Sequence, residues 1–365
     1  MDRKVILVAC TRSDNFEETL ALCHTANLKV VDVLNFCKKP DPGFYLTKGK
    51  LKELKEMVEK DSLNAIVIDT QLKPSQYYRL QRELGVEVID RVMLILKIFE
   101  LHSGSKEAKL QTELARLKYE LSISKEYIRR KKLGEQVHFL GPGEYAAEYL
   151  IKAFHRKIKK IENELEKVKK RRMTQKLSRR RSLSAPEVAV TGYTCAGKTA
   201  LINALSKSNL MEGPEMFTTI TPKHVKVRRN GWEVVLIDTV GFIESVPPQL
   251  IEAFHATLAE VTYSDAILLV IDSSEEEGRV INKTLSSLET LSEIDAIDKP
   301  LVVALNKIDI ARDWKSKMEV LEELLKEYYP WSFSIVPVSA RAQLNLNLLL
   351  DVLKGVVTKT ASNSV

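Results

Sequence analysis

The sequence predicts an α/β multidomain protein: an N-terminal parallel α/β domain, an antiparallel, coiled-coil-like helical pair, and a C-terminal domain built on a mostly parallel sheet. Three observations carry this. Short apolar runs alternate with helical patterns over residues 1–90 and again beyond 187. Two heptad stripes occupy the stretch between them. A phosphate-loop pattern, GYTCAGKT at 192–199, opens the third part. A chain of 365 residues with 44% apolar content is long enough for two to three domains with real cores.

In the first part, the apolar runs 5–9, 30–33, 65–68 and 86–89 predict strands, and helices are expected over 16–26, 50–60 and 75–84. No recognisable catalytic set falls there. Lys48, Gly49 and Lys50 read chiefly as the turn that opens the next helix, with a phosphate contact as the alternative.

The first heptad stripe is Leu110, Leu114, Leu117 and Leu121; the second is Phe154, Ile158, Ile161, Leu165 and Val168. Two such stripes in series predict helices zipped antiparallel by their own seam, with a tip near 133–143. The second helix is also strongly basic. Residues 152–181 hold 14 Lys or Arg against three Glu, a net of +11 that leaves −4 for the rest of a chain of formal charge +7. That concentration is the footprint of a polyanion contact, against the plainer reading of a solvated helix face. The candidates for RNA contact are Lys157, Lys160, Lys169, Arg171, Arg172, Arg179 and Arg180. Composition then shifts to Arg, Ser and Pro, which predicts a hinge. The expected divisions are 1–90, 91–181, a hinge at 182–186, 187–358, and a disordered tail at 359–365.

The third part carries three motifs in order. In the first, the backbone N–H groups of Gly192, Tyr193, Thr194, Cys195, Ala196 and Gly197 are expected to turn onto phosphates, with Lys198 reaching the β and γ phosphates and Thr199 offering its hydroxyl to Mg2+. Next comes DTVG at 238–241, after the apolar run 234–237: Asp238 is expected near the metal and Gly241 against the γ-phosphate. The third is NKID at 306–309, after the run 301–305. Asp309 is the base reader, because its carboxylate matches the N1–H and amine of guanine; Lys307 lies along the purine and Asn306 braces the loops. Ser339 and Ala340, after a fourth run, offer backbone N–H groups to the guanine oxygen. Alone, N-K-x-D arises by chance in roughly one chain in twenty, so its weight comes from order and spacing. Between the first two motifs, Asn230-Gly231 predicts a β-hairpin over 224–237. In MFTTITP at 216–222, Thr219 is the expected switch-loop metal ligand and Thr218 the alternative. The set describes a P-loop GTPase domain that hydrolyses GTP with Mg2+, Lys198, Gly241 and Thr219 forming the catalytic group.

At DTVGFIESVPPQLIEAFHATLAE (238–260) and DRVMLILKIFELHSGSKEAKLQTELARLKYEL (90–121) the chain resembles the HflX GTPases, ribosome-associated members of the translation-factor-related class. GPGE at 141–144 and the stretch 40–50 echo two further signatures of that family. The resemblance implies a guanine-nucleotide switch on the large ribosomal subunit and its rRNA. The departures from the family pattern are Cys195; Val137, His138, Phe139 and Leu140 in place of a glycine-rich stretch; and a tail after Ala340 that lacks the usual glycines. Cys195 stands where the family usually has Asn, which in some relatives helps to bind potassium. Phe242 stands where many GTPases have the glutamine that orients water; its ring removes that contact, so slow turnover stimulated by a partner is expected, and the plainer reading, that it packs under the switch, is compatible with this. The rival readings are an RNA-remodelling enzyme using ATP and a regulatory module with incidental hydrolysis.

Cysteines at 10, 23, 37 and 195 show neither C-x-x-C nor Cys/His pairing, so neither zinc nor a disulfide framework is expected. No apolar run approaches the ~20 residues that cross a bilayer. A cytoplasmic monomer is expected.

Overall fold

The computed structural model describes residues 3–13, 15–61, 63–132, 144–182, 185–206, 222–229, 231–243, 258 and 260–362, with only the backbone course at 130–132, 144–148, 172–182 and 359–362. It has two compact units, one running to Met173 and the other beginning at Thr174.

The first unit opens with the expected α/β alternation: β1 (Arg3–Ala9), α1 (Phe16–Thr25), β2 (Leu28–Asn35), α2 (Lys48–Lys60), β3 (Ala65–Ile68), α3 (Pro74–Leu84) and β4 (Glu87–Asp90). The strands form a parallel sheet in the order β2-β1-β3-β4, and β1 and β3 are buried along most of their length because helices cover both faces. Lys48, Gly49 and Lys50 form the first turn of α2, in line with the helix-opening reading.

The cysteines require a correction. Cys10 and Cys37 form a disulfide with their Cα atoms 4.5 Å apart. Each closely follows one of two paired strands, β1 and β2, a proximity that only the strand pairing creates. Their separation of 27 residues has no motif-like spacing. Closing a loop of that length restricts the unfolded chain by about 3–4 kcal/mol. Reduction, or Cys10→Ser with Cys37→Ser, is therefore expected to lower the urea midpoint of this unit; an unchanged midpoint would exclude the bridge in solution.

α4 (Arg91–His102) and α5 (Lys106–Lys132) pack in the same compact unit as the sheet. The reason is one buried carboxylate. Asp90 caps α4 by accepting from Met93 N at 3.0 Å, accepts from Leu72 N at 3.0 Å, and also accepts from the Tyr119 hydroxyl on α5. Burial pushes its pKa up while these donors pull it down. α5 is thus pinned to the sheet domain before it reaches its helical partner.

That partner is α6 (Glu144–Ser182). Leu114, Leu117 and Leu121 pack with Ile158, Ile161 and Leu165, and Leu110 and Phe154 flank them, as the heptad spacing predicts. Ion pairs Lys106–Glu164 and Glu113–Lys157 cross the seam, the numbers rising on one helix as they fall on the other, so the pair is antiparallel. The expected tip, 133–143, lies outside the described residues. α6 runs through the expected division at 181, and the boundary between units falls inside it.

The second unit contains β5 (Glu187–Gly192), α7 (Lys198–Ser206), β6 (Lys223–Arg229), β7 (Trp232–Asp238), β8 (Ala266–Asp272), α8 (Glu277–Glu293), β9 (Leu301–Asn306), α9 (Trp314–Tyr328), β10 (Phe333–Pro337) and α10 (Leu346–Ser362). Its sheet order is β10-β9-β8-β5-β7-β6. β6 alone is antiparallel and sits at the edge, as the Asn-Gly hairpin signal predicts. A buried core of Val, Leu, Ile and Ala from β5, β8, β9 and α10 lies beneath the loops that follow the strands. α10 runs to Ser362, and its apolar residues Leu349, Leu353 and Val357 keep a helical period on that core.

Candidate nucleotide site

The GYTCAGKT, DTVG and NKID motifs each leave the C-terminal end of a buried strand of this sheet, where open α/β folds bind ligands. β5 feeds the phosphate loop. Gly192 has φ +135°, and a Cβ there would lie 2.2 Å from the Val270 carbonyl oxygen on β8, so glycine is needed for the chain to turn off the sheet.

Lys198, at the start of α7, folds back over the loop and donates to the carbonyls of Gly192 at 3.1 Å and Tyr193 at 2.8 Å. Its burial pushes the pKa down from 10.5 to about 8, against the opposing charge of Asp238. Thr199 Oγ1 donates to Asp238 Oδ2 at 3.1 Å. Two hard oxygens from different elements thus meet beside the loop, a donor set that suits magnesium.

Gly241 closes on this group: a Cβ there would fall 2.8 Å from Lys198 Nζ and 3.1 Å from the Thr194 Cα. The next residue completes a two-bond zipper. Phe242 N donates to the Gly192 carbonyl at 2.9 Å, and Thr194 N donates to the Phe242 carbonyl at 2.8 Å. Phe242 is 3% exposed, so its ring is enclosed by the protein. Cys195 is exposed with φ +62°.

Asn306 braces two loops as expected: Nδ2 donates to the Ala196 carbonyl at 2.9 Å and Oδ1 accepts from Ala340 N at 3.0 Å. Lys307 has φ +65° and pairs with Asp272, and Asp309 is exposed beyond the strand end. Ser339 and Ala340 follow β10. Ser339 N donates to the Leu344 carbonyl and Ala340 N to Asn306, so each N–H intended for the guanine oxygen already has an acceptor within the protein.

Thr218 and Thr219 lie outside the described residues, as does 244–257. Lys157, Lys160, Lys169 and Arg171 are exposed on α6; Arg172, Arg179 and Arg180 follow on the same helix, where only the backbone is described.

Sequence reasoning missed the loop after β8. Asp272 ends that strand as Asp238 ends β7 and Asn306 ends β9. A polar residue terminating a buried parallel strand was the available signal.

Three family models cover the chain in order: "GTP-binding GTPase N-terminal" at 13–100, "GTP-binding GTPase Middle Region" at 102–179 and "50S ribosome-binding GTPase" at 187–307. The GTPase HflX of Saccharolobus solfataricus is 43% identical over 92% of this chain and 94% of its own. That of Hyperthermus butylicus is 44% identical over 91% and 90%. Among solved structures, the SsGBP–GDP complex is 38% identical and covers 98% of this chain and 99% of its own, with a TM-score of 0.58. A GTP-binding protein from the hyperthermophilic archaeon Sulfolobus solfataricus in complex with GDP has the same identity and coverage, with a TM-score of 0.55. With all three regions matched in order and that identity holding along nearly the whole length, the chain belongs to the HflX family of GTPases, P-loop proteins that bind and hydrolyse GTP.

Proposed function

We propose that this GTPase is a guanine-gated switch in the cytoplasm that binds the large ribosomal subunit through rRNA, and whose slow intrinsic turnover the ribosome stimulates. The observation that carries the RNA contact is how α6 distributes its charge. The three glutamates of its basic stretch are engaged locally: Glu164 pairs with Lys106 and Glu162 with Lys118 across the seam, and Glu166 with Lys170 along the helix. Lys152, Arg156, Lys159, Lys160, Lys167 and Arg171 are left exposed on a surface with no acidic half. Each phosphate neutralised there releases counterions.

In this reading, hydrolysis is in-line attack of water on the γ-phosphorus. The new P–O bond forms as the bond to the β–γ bridging oxygen breaks; GDP keeps that electron pair and the water proton passes to phosphate. Lys198 leaves the Gly192 and Tyr193 carbonyls for the β and γ oxygens. Amides of the 192–199 loop cradle the phosphates, and Gly241 approaches the γ group. Thr199, Asp238 and Thr219 would hold magnesium, which would supply charge neutralisation at the phosphates. Asp309 and Lys307 hold the base, with Asn306 as brace. With Phe242 enclosed, no polar side chain at that position orients the water, which supports slow turnover without a partner.

Sedimentation with purified large subunits tests the proposal, in GDP, a non-hydrolysable GTP analogue or an ATP analogue, at two salt concentrations. Binding is expected with the GTP analogue alone and should fall steeply with salt. Reversing Lys160, Lys169 and Arg171 to Glu is expected to weaken it by about tenfold or more. Equal binding in all nucleotide states, or none, would refute the switch; binding with the ATP analogue would favour an RNA-remodelling enzyme.

A further inference from the structure

Asp272 ends β8 directly beside Asn306, its register partner on β9. One carboxylate oxygen, Oδ2, accepts from Lys307 Nζ; the other accepts from Ser274 N at 2.9 Å and Ser274 Oγ at 2.6 Å. Lys307 is the residue that leaves β9 in a left-handed conformation, which costs a side-chain-bearing residue about 1–2 kcal/mol and persists where surrounding contacts over-determine it. Ser273 adds two of those contacts, its N and Oγ donating to the Asn306 carbonyl at 2.9 and 2.6 Å.

The loop bearing Asp272 is itself anchored from two sides. Lys317 on α9 is 3% exposed, and its ammonium donates to the carbonyls of Ser273 at 3.0 Å and Glu275 at 2.7 Å and to Asp313 Oδ1 at 2.8 Å. The second anchor is the Glu275 carboxylate, which pairs with Lys283, whose ammonium lies 4.7 Å from the ring centre of Tyr193 in the phosphate loop. A buried ammonium holding two carbonyls is costly to assemble and leaves little play.

We infer that Asp272 is a positioning residue for guanine nucleotide, holding the Lys307 stem where it can lie along the purine, on a loop that ties the base-reading strand end to the phosphate loop. The inference rests on the proposed role of Lys307 and Asp309 as base readers. Lys307 touches the nucleotide, and Asp272 acts through Lys307.

The test uses the full chain and fluorescent GDP displaced by GDP or inosine diphosphate, with Asp272→Ala, Lys307→Ala, the double variant and Asp309→Ala. Asp272→Ala is expected to weaken GDP and inosine diphosphate alike by about tenfold, because the base amine is read elsewhere. The same variant should raise the KM for GTP by a like factor with kcat within about twofold. The double variant should bind no more weakly than Lys307→Ala alone, and Asp272→Glu should recover part of the loss. Wild-type affinity in Asp272→Ala, or losses that add in the double variant, would overturn the inference. Failure of the underlying reading looks different: Lys307→Ala and Asp309→Ala would then leave GDP affinity unchanged. Melting of the nucleotide-free variants separates positioning from stability, since a global fold defect would lower the melting temperature and kcat together.

Discussion

Replacing Asp309 with asparagine is expected to weaken GDP and GTP binding by about a hundredfold and to create affinity for xanthine nucleotides. The carboxylate offers two acceptors to two donors of guanine. Asparagine keeps one acceptor and turns the other into a donor, which faces the guanine amine with a like group. Xanthine has a carbonyl oxygen where guanine has that amine, so the variant side chain matches it. Asp309 is exposed and ends no buried network, so the nucleotide-free protein should melt as before. The measurement is the ratio of GDP to xanthosine diphosphate affinity by competition. A ratio that does not move would remove Asp309 from the base-reading role.

Lys198→Met is expected to reduce turnover by about a thousandfold, the loss of a preorganised cation aimed at the transferring phosphoryl group. The wild-type pH profile gives a second, independent readout. Burial pushes the Lys198 pKa down to about 8 in the nucleotide-free protein, and phosphate oxygens raise it again by favouring the ammonium. Binding therefore takes up a proton above pH 8: affinity should be level below that value and fall by up to about tenfold per pH unit above it. Stability of the empty protein carries the same group with the opposite sign. A lysine whose folded pKa lies below its unfolded value opposes folding while it is protonated, so stability should rise as pH increases from about 8 toward 10.5. Lys198→Met should abolish both trends. A flat affinity profile between pH 7 and 9.5 in the wild type would mean that the ammonium is not the phosphate partner.

Much of this molecule is legible along the chain because its information is local. A buried parallel strand is a short apolar run, and the residue ending it is polar where the loop has work to do; Asp238 and Asn306 are found this way. The heptad seam of α5 and α6 follows from a spacing of three and four, and the edge hairpin from Asn-Gly. What escapes is pairwise and distant. Asp272 has the same strand-end signature, but its partner Lys307 is 35 residues away and is brought near only by the β8–β9 register. Cys10 and Cys37 are likewise joined by strand pairing.

Residue type and spacing alone specify the guanine-nucleotide motifs and their order, the antiparallel helical pair and the concentration of positive charge on its second helix. Each is a property of a few turns or strands. Folding decides the rest: that Tyr119 and Asp90 bind α5 into the α/β unit, that Phe242 is zipped to the phosphate loop, that the Ser339 and Ala340 amides already have acceptors, and that Glu162, Glu164 and Glu166 of α6 are engaged. One cause is common to all four. Which donor satisfies which acceptor depends on atoms brought together by folding, and no spacing rule encodes a contact between elements that first meet in the packed state.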